Sequence, residues 1–202
     1  MTPAFGEAQA DRMPPGRPTG SAVSSAPSAE QALRFAQALA RACARALGEA
    51  VAGVILHGSL TLDDYLPSRS DLDLLVVLDD PLTDAQLDAL AEAVAGHRSH
   101  APGPVDLRVV TRQVAASPTR APPLEAYLRL TPGSGVRLEE RRHAGERDLA
   151  VELSVCRAHG RSLLGAAPAE LIGEVPDWWV WPPATRSWPP GRRSGTTRRM
   201  PS

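Results

Sequence analysis

Apolar residues recur along the chain at two periods, and the switches between them mark out the elements. From Ser28 the order Ser-Ala-Glu-Gln gives an N-cap with an acceptor three positions on. Leu33, Ala36, Ala40, Cys43 and Leu47 then follow at three- and four-residue spacing before Gly48. That pattern predicts an amphipathic helix with a capped start and a glycine stop. Val51 to His57 reads as a strand, ended by Gly58-Ser59. Leu72 to Leu78 (LDLLVVL) is apolar at nearly every position, as a central strand covered on both faces would be. Thr83-Asp-Ala-Gln86 repeats the capping box, and Leu87, Leu90, Ala91 and Val94 carry a second helix to Gly96. From Val105 to Val110, Val105, Leu107 and Val109 alternate with Asp106, Arg108 and Val110, a strand with one dry and one mostly polar face.

Beyond Thr111 the periods blur. Pro123 to Leu130 (PLEAYLRL) is read as a short helix and TPGSG at 131–135 as a turn. Glu146 to Ala158 carries Leu149, Leu153 and Cys156 on one stripe, which predicts a third helix ending at His159-Gly160. The chain thus divides into a core at 28–115 and a partial helical segment at 116–175, between two segments without period. Residues 1–27 are rich in Pro, Gly, Ser and Ala. Residues 176–202 hold all four tryptophans and accumulate Pro and Arg. Neither can bury enough apolar surface to offset the entropy of ordering, so both are expected to be disordered. The fold class expected is α/β, a small mixed sheet flanked by helices.

Charge narrows the partners. The formal net charge is -1, which offers no whole-chain attraction to nucleic acid or to an anionic membrane. No stretch approaches the ~20 apolar residues of a membrane helix, and the first residues lack the basic start and apolar run of a secretory signal. A cytoplasmic protein is expected. Cys43 and Cys156, far apart and each in an apolar helical pattern, are read as buried free thiols.

The chemistry concentrates in HGSLTLDDYLPSRSDLDLLVVLDD, residues 57–80. Residues two apart in a strand share a face, so Asp71 and Asp73 project together from an otherwise dry sheet. Adjacent carboxylates repel unless a cation sits between them, and Mg²⁺, held by one or two carboxylates plus substrate phosphates, suits the position. Asp106, near the start of another strand, adds a third oxygen donor. Three carboxylates can hold two Mg²⁺ ions about 3.5–4 Å apart for phosphoryl transfer. Gly58 lets the backbone approach a phosphate, and Ser59 offers its N–H and hydroxyl. The simpler reading is that an Asp at a strand start caps a loop. Asp63 and Asp64 read as solvated, His57 as a structural histidine, and His159 as a helix-end residue favoured by the helix dipole.

Gly58-Ser59, eleven intervening residues, Asp71-Leu-Asp73 and the distal Asp106 resemble the signature of the polymerase-β-like nucleotidyltransferase superfamily. With VDLRVVTRQV, PLEAYLRL and CRAHGRSLLGAAPAELIGEVP, the stretch from 30 to 176 is similar to the adenylyltransferases that modify streptomycin and spectinomycin. The resemblance implies a nucleotidyltransferase fold and transfer of AMP from Mg-ATP to a hydroxyl of a small cationic acceptor, with antibiotic resistance as the outcome. It implies that Asp71 and Asp73 bind metal, that Gly58 and Ser59 contact the nucleotide, and that Asp106 activates the acceptor hydroxyl and also meets metal. The family commonly has Glu where this chain has Asp106. After GEVPD it continues into a helical domain, which here is truncated or replaced by the Trp- and Arg-rich tail. Two alternatives follow: a catalytically impaired nucleotide-binding remnant, or an adenylyltransferase acting on a protein or RNA.

Overall fold

A computed structural model describes residues 27–67 and 69–180. The expected disorder of the N-terminal extension and of most of the tail falls on residues outside these. The first helix, α1 (Ala29–Leu47), starts where the capping box places it. The Ser28 hydroxyl accepts from Gln31 N–H, and the Gln31 side chain accepts from Ser28 N–H. Thr83 and Gln86 open α2 (Asp84–Ala95) in the same way. Both helices present their apolar stripes to one sheet.

Six strands form that sheet: β1 (Val51–His57), β2 (Leu72–Leu78), β3 (Val105–Thr111), β4 (Leu124–Thr131), β5 (Gly135–His143) and β6 (Arg161–Gly165). Their order is β5-β4-β3-β2-β1-β6. Only β2 and β3 run parallel, joined through α2; the other pairs are antiparallel. A small mixed sheet flanked by helices is therefore the architecture, as the sequence pattern predicts. Leu74, Val76 and Leu78 of β2 pack with Leu39 and Cys43 of α1 and Leu90 of α2. Leu75 and Val77 face the other way, onto Leu149, Leu153 and Cys156 of α4 (Arg147–His159). That two-sided burial explains the uninterrupted apolar run. Both cysteines are buried and free, and burial pushes the Cys43 thiol up to about 12.

The expected helix at 123–130 is instead strand β4. Leu124, Ala126, Leu128 and Leu130 are buried at a strict period of two, and TPGSG is the hairpin turn into β5. β5 escaped the sequence reading because it is an edge strand with arginines and glutamates on both faces, a composition that discourages further pairing. The division expected between 115 and 116 runs through this sheet, since β4 pairs with β3 and β6 with β1. Short helices α3 (Arg112–Ala116) and α5 (Pro168–Leu171) add Ala115 and Leu171 to the α4 side. A last turn, α6 (Asp177–Val180), lies where irregular chain was expected, with Trp178 and Trp179 edge to face at 5.8 Å. No helix among the described residues is long and apolar enough to cross a membrane.

Candidate active site

Strand pairing gathers the motif residues at one edge of the sheet. His57, at the end of β1, is the register partner of Asp73; Asp73 is the partner of Asp106; Asp106 is the partner of Arg129. One row across four strands thus reads His57, Asp73, Asp106, Arg129. Directly paired residues share a face, and this face is the one α4 covers. The next row inward reads Ile55, Leu75, Arg108, Tyr127. Asp71 sits just ahead of β2, which begins at Leu72.

Arg129 ties two of the three aspartates together. Its Nη2 lies 3.0 Å from Asp71 Oδ2, and its Nη1 lies 3.0 Å from both oxygens of Asp106. Asp106 is 13% exposed, Asp71 and Arg129 each 33%, so the pairs are shielded from bulk water but not sealed from it. Asp73 forms no ion pair among the described residues. Burial, then the charges of Asp106 and Asp71, push its carboxyl up to about 6. Burial also raises Asp106, with the Arg129 charge opposing it. His57 does not answer this need for positive charge. It is buried, and burial with the nearby Arg108 holds it down at about 4, so it is neutral at physiological pH. The structural reading of His57 fits that state.

Gly58 closes the row against Asp73. It has φ +75°, and a Cβ built on it would stand 2.2 Å from Asp73 Oδ2. Only glycine meets both conditions without strain. Gly58 and Ser59 open a 3₁₀ turn (Gly58–Leu60) in which the Gly58 carbonyl accepts from Thr61 N–H and the Ser59 carbonyl from Asp64 N–H. The turn stands at the same edge as the carboxylates.

Four residues of this face escaped the sequence reading as site residues: Arg108, Tyr127, Arg129 and Glu152. The signal lay in the period of β3 and β4. Arg108 is two residues beyond Asp106, and Tyr127 and Arg129 are the polar positions of a strand read as a helix. Arg108 lies 4.4 Å over the Tyr127 ring and 2.5 Å from Glu152 of α4. Glu152 interrupts the apolar side of α4, between Leu149 and Leu153. Burial raises its carboxyl to about 7 despite Arg108.

The donor set at this edge suits Mg²⁺. All its ligating atoms are carboxylate oxygens, and Asp73 carries uncompensated charge beside two like charges. Asp71, Asp73 and Asp106 would hold the ion. They are not drawn into a tight cage. Among the described residues, the group of three whose ligand atoms all lie within 4.8 Å is Glu140, His143 and Glu146, at the far end of β5 and the start of α4. A cavity of about 440 Å³ lies on the other side of β1, lined by residues including Leu56, Asp63, His159 and Arg161, and by none of the three aspartates.

Residues 37–122 match the family described as nucleotidyltransferase domain, a span of less than half the chain. Among solved structures, the fold is similar to that of the spectinomycin adenyltransferase AAD(9) of Enterococcus faecalis, solved with ATP and spectinomycin. The TM-score is 0.55 at 19% identity, covering 75% of this chain and 62% of that one. This chain thus spans less than two thirds of that structure. A toxin–antitoxin structure with AMP-PNP aligns at a TM-score of 0.34 and 14% identity, over 76% of this chain and 81% of that one. None of the curated proteins compared is a match. Residues 37–122 thus match a nucleotidyltransferase domain, and the described residues share a nucleotidyltransferase-like fold with AAD(9) at low sequence identity.

Proposed function

We propose that this chain transfers AMP from Mg-ATP to a hydroxyl of an aminoglycoside-like acceptor. The observation that carries the reading is the row Asp73–Asp106 across adjacent parallel strands, with Asp71 beside it and the Gly58-Ser59 turn at the same edge. Asp71 and Asp73 are assigned to the metal, together with Asp106. Gly58 and Ser59 are assigned to the nucleotide phosphates, where a backbone without Cβ permits close approach. Bound Mg²⁺ would offset the charge that develops on the transferring phosphate as pyrophosphate leaves. Asp106 is assigned to accept the proton of the attacking hydroxyl, and the burial that raises its carboxyl supports that role. A cationic acceptor suits an edge on which carboxylates outnumber free cations.

A second reading, nucleotide binding without transfer, rests on Arg129. Asp106 gives both oxygens to that guanidinium, and a carboxylate so engaged is a weaker base. One experiment separates the two. The protein is incubated with Mg²⁺, ATP labelled at the α-phosphate and a panel of aminoglycosides. Label moving to an acceptor, with equimolar pyrophosphate, supports transfer. Retention of labelled nucleotide with no labelled acceptor supports the second reading, and neither label retained nor moved contradicts both.

A further inference from the structure

The carboxylate edge already contains a cation. We propose that Arg129 is a resident cation of this site, a positioning residue that takes the place of a second divalent ion, so that the chain binds one Mg²⁺ per nucleotide. The proposal rests on the nucleotide-site reading above and goes beyond it in fixing the number of ions and the side chain that sets it.

Connectivity makes the guanidinium part of the site. Arg129 is the cross-strand neighbour of Asp106 and lies on the same face, so its guanidinium is delivered by the sheet itself. Its two terminal nitrogens serve different carboxylates: Nη2 takes Asp71, and Nη1 takes both oxygens of Asp106, each at 3.0 Å. Charge-assisted contacts of this kind are stronger and more directional than neutral ones. A divalent ion bound to Asp106 would have to displace Nη1 from both oxygens and then lie against a fixed positive charge. Asp71 keeps Oδ1, and Asp73 keeps its whole carboxylate. On this proposal Asp106 leaves the set of three carboxylates assigned to the metal above, and Asp71 and Asp73 alone define the position for one ion.

The sequence-based expectation of two ions among three carboxylates gives way to one ion plus one arginine.

Mn²⁺ serves as the probe, counted by electron paramagnetic resonance at saturating α,β-methylene-ATP, with bound nucleotide measured in the same samples. Wild type is expected to hold one Mn²⁺ per bound nucleotide. Arg129→Gln and Arg129→Met should each hold two, with the line broadening of two ions close together, and Arg129→Lys, which keeps the charge, should hold one. Circular dichroism checks that each variant is folded. Two ions in wild type, or one in a folded neutral variant, overturns the proposal while leaving the nucleotide site standing. A wild type that retains no analogue at any Mn²⁺ concentration overturns the proposal and the nucleotide-site reading together.

Discussion

Replacing Gly58 by alanine tests whether the turn is shaped by the carboxylate behind it. Two costs are separable. The first is conformational: at φ +75° an L side chain is forced into the left-handed region, which costs roughly 1–2 kcal/mol. The second is contact. The new Cβ would stand 2.2 Å from Asp73 Oδ2 and 3.1 Å from Asp73 Cγ, where ordinary contact begins near 3.4 Å. The Asp73 carboxylate must therefore retreat by about an ångström, a displacement that in a positioned site can cost about 100-fold. Gly133, in the β4–β5 turn, supplies the control. Its φ is +76°, but nothing lies within 4 Å of a Cβ built there. Gly133→Ala should lose only the conformational cost and bind Mg-ATP as wild type does. Gly58→Ala should melt lower by at least as much and bind Mg-ATP about 100-fold more weakly. Thermal unfolding without ligand and calorimetric titration with Mg-ATP measure the two effects. Equal Mg-ATP affinity in Gly58→Ala and Gly133→Ala would refute the claim that Gly58 positions Asp73.

The remaining predictions concern stability. Glu152 holds its proton up to about pH 7 in the folded chain against an ordinary value of 4.5, so the folded state binds more protons between these limits. Stability from this group is full below pH 4.5, falls as pH rises toward 7, and is flat above it, a total of about 3 kcal/mol at most. Urea unfolding from pH 5 to 8 should show that slope, and Glu152→Gln should flatten it; an unchanged slope contradicts the burial argument. Leu74→Ala, at a fully buried position of β2 packed under α1 and α2, should cost about 2–5 kcal/mol by chemical denaturation. A loss under 1 kcal/mol would show that the α1–α2 layer is not closely packed there.

How far the sequence discloses the site depends on how many faces of each element are buried. β2 and both capping boxes were legible because a central strand and a capped helix each leave a strong local signal. β4 was misread because Tyr127 falls between Ala126 and Leu128 and makes the alternation look like an apolar cluster. Its position is settled by pairing with β3, a contact no local window contains. Asp71, Asp73 and Asp106 are candidates that strand periodicity and motif order alone bring forward, and the register sets Asp73 opposite Asp106. Arg129 could not be placed without the register that sets it opposite Asp106, 23 residues away in sequence. Glu152 lies further still, on a helix whose polar position becomes meaningful only beside Arg108.

The central claim is that the carboxylate edge binds nucleotide through a divalent ion, and Asp73 is the residue on which it turns. Asp73→Asn removes the negative charge while keeping the shape, and it removes the like-charge repulsion from Asp71 and Asp106. The most direct measurement is calorimetric titration of ATP into wild type and Asp73→Asn, each with Mg²⁺ and with EDTA. The account predicts Mg²⁺-dependent binding in wild type and loss of that dependence in a variant that unfolds at or above the wild-type temperature. Mg-ATP binding of equal affinity in both proteins, or binding in wild type that EDTA leaves untouched, would contradict it.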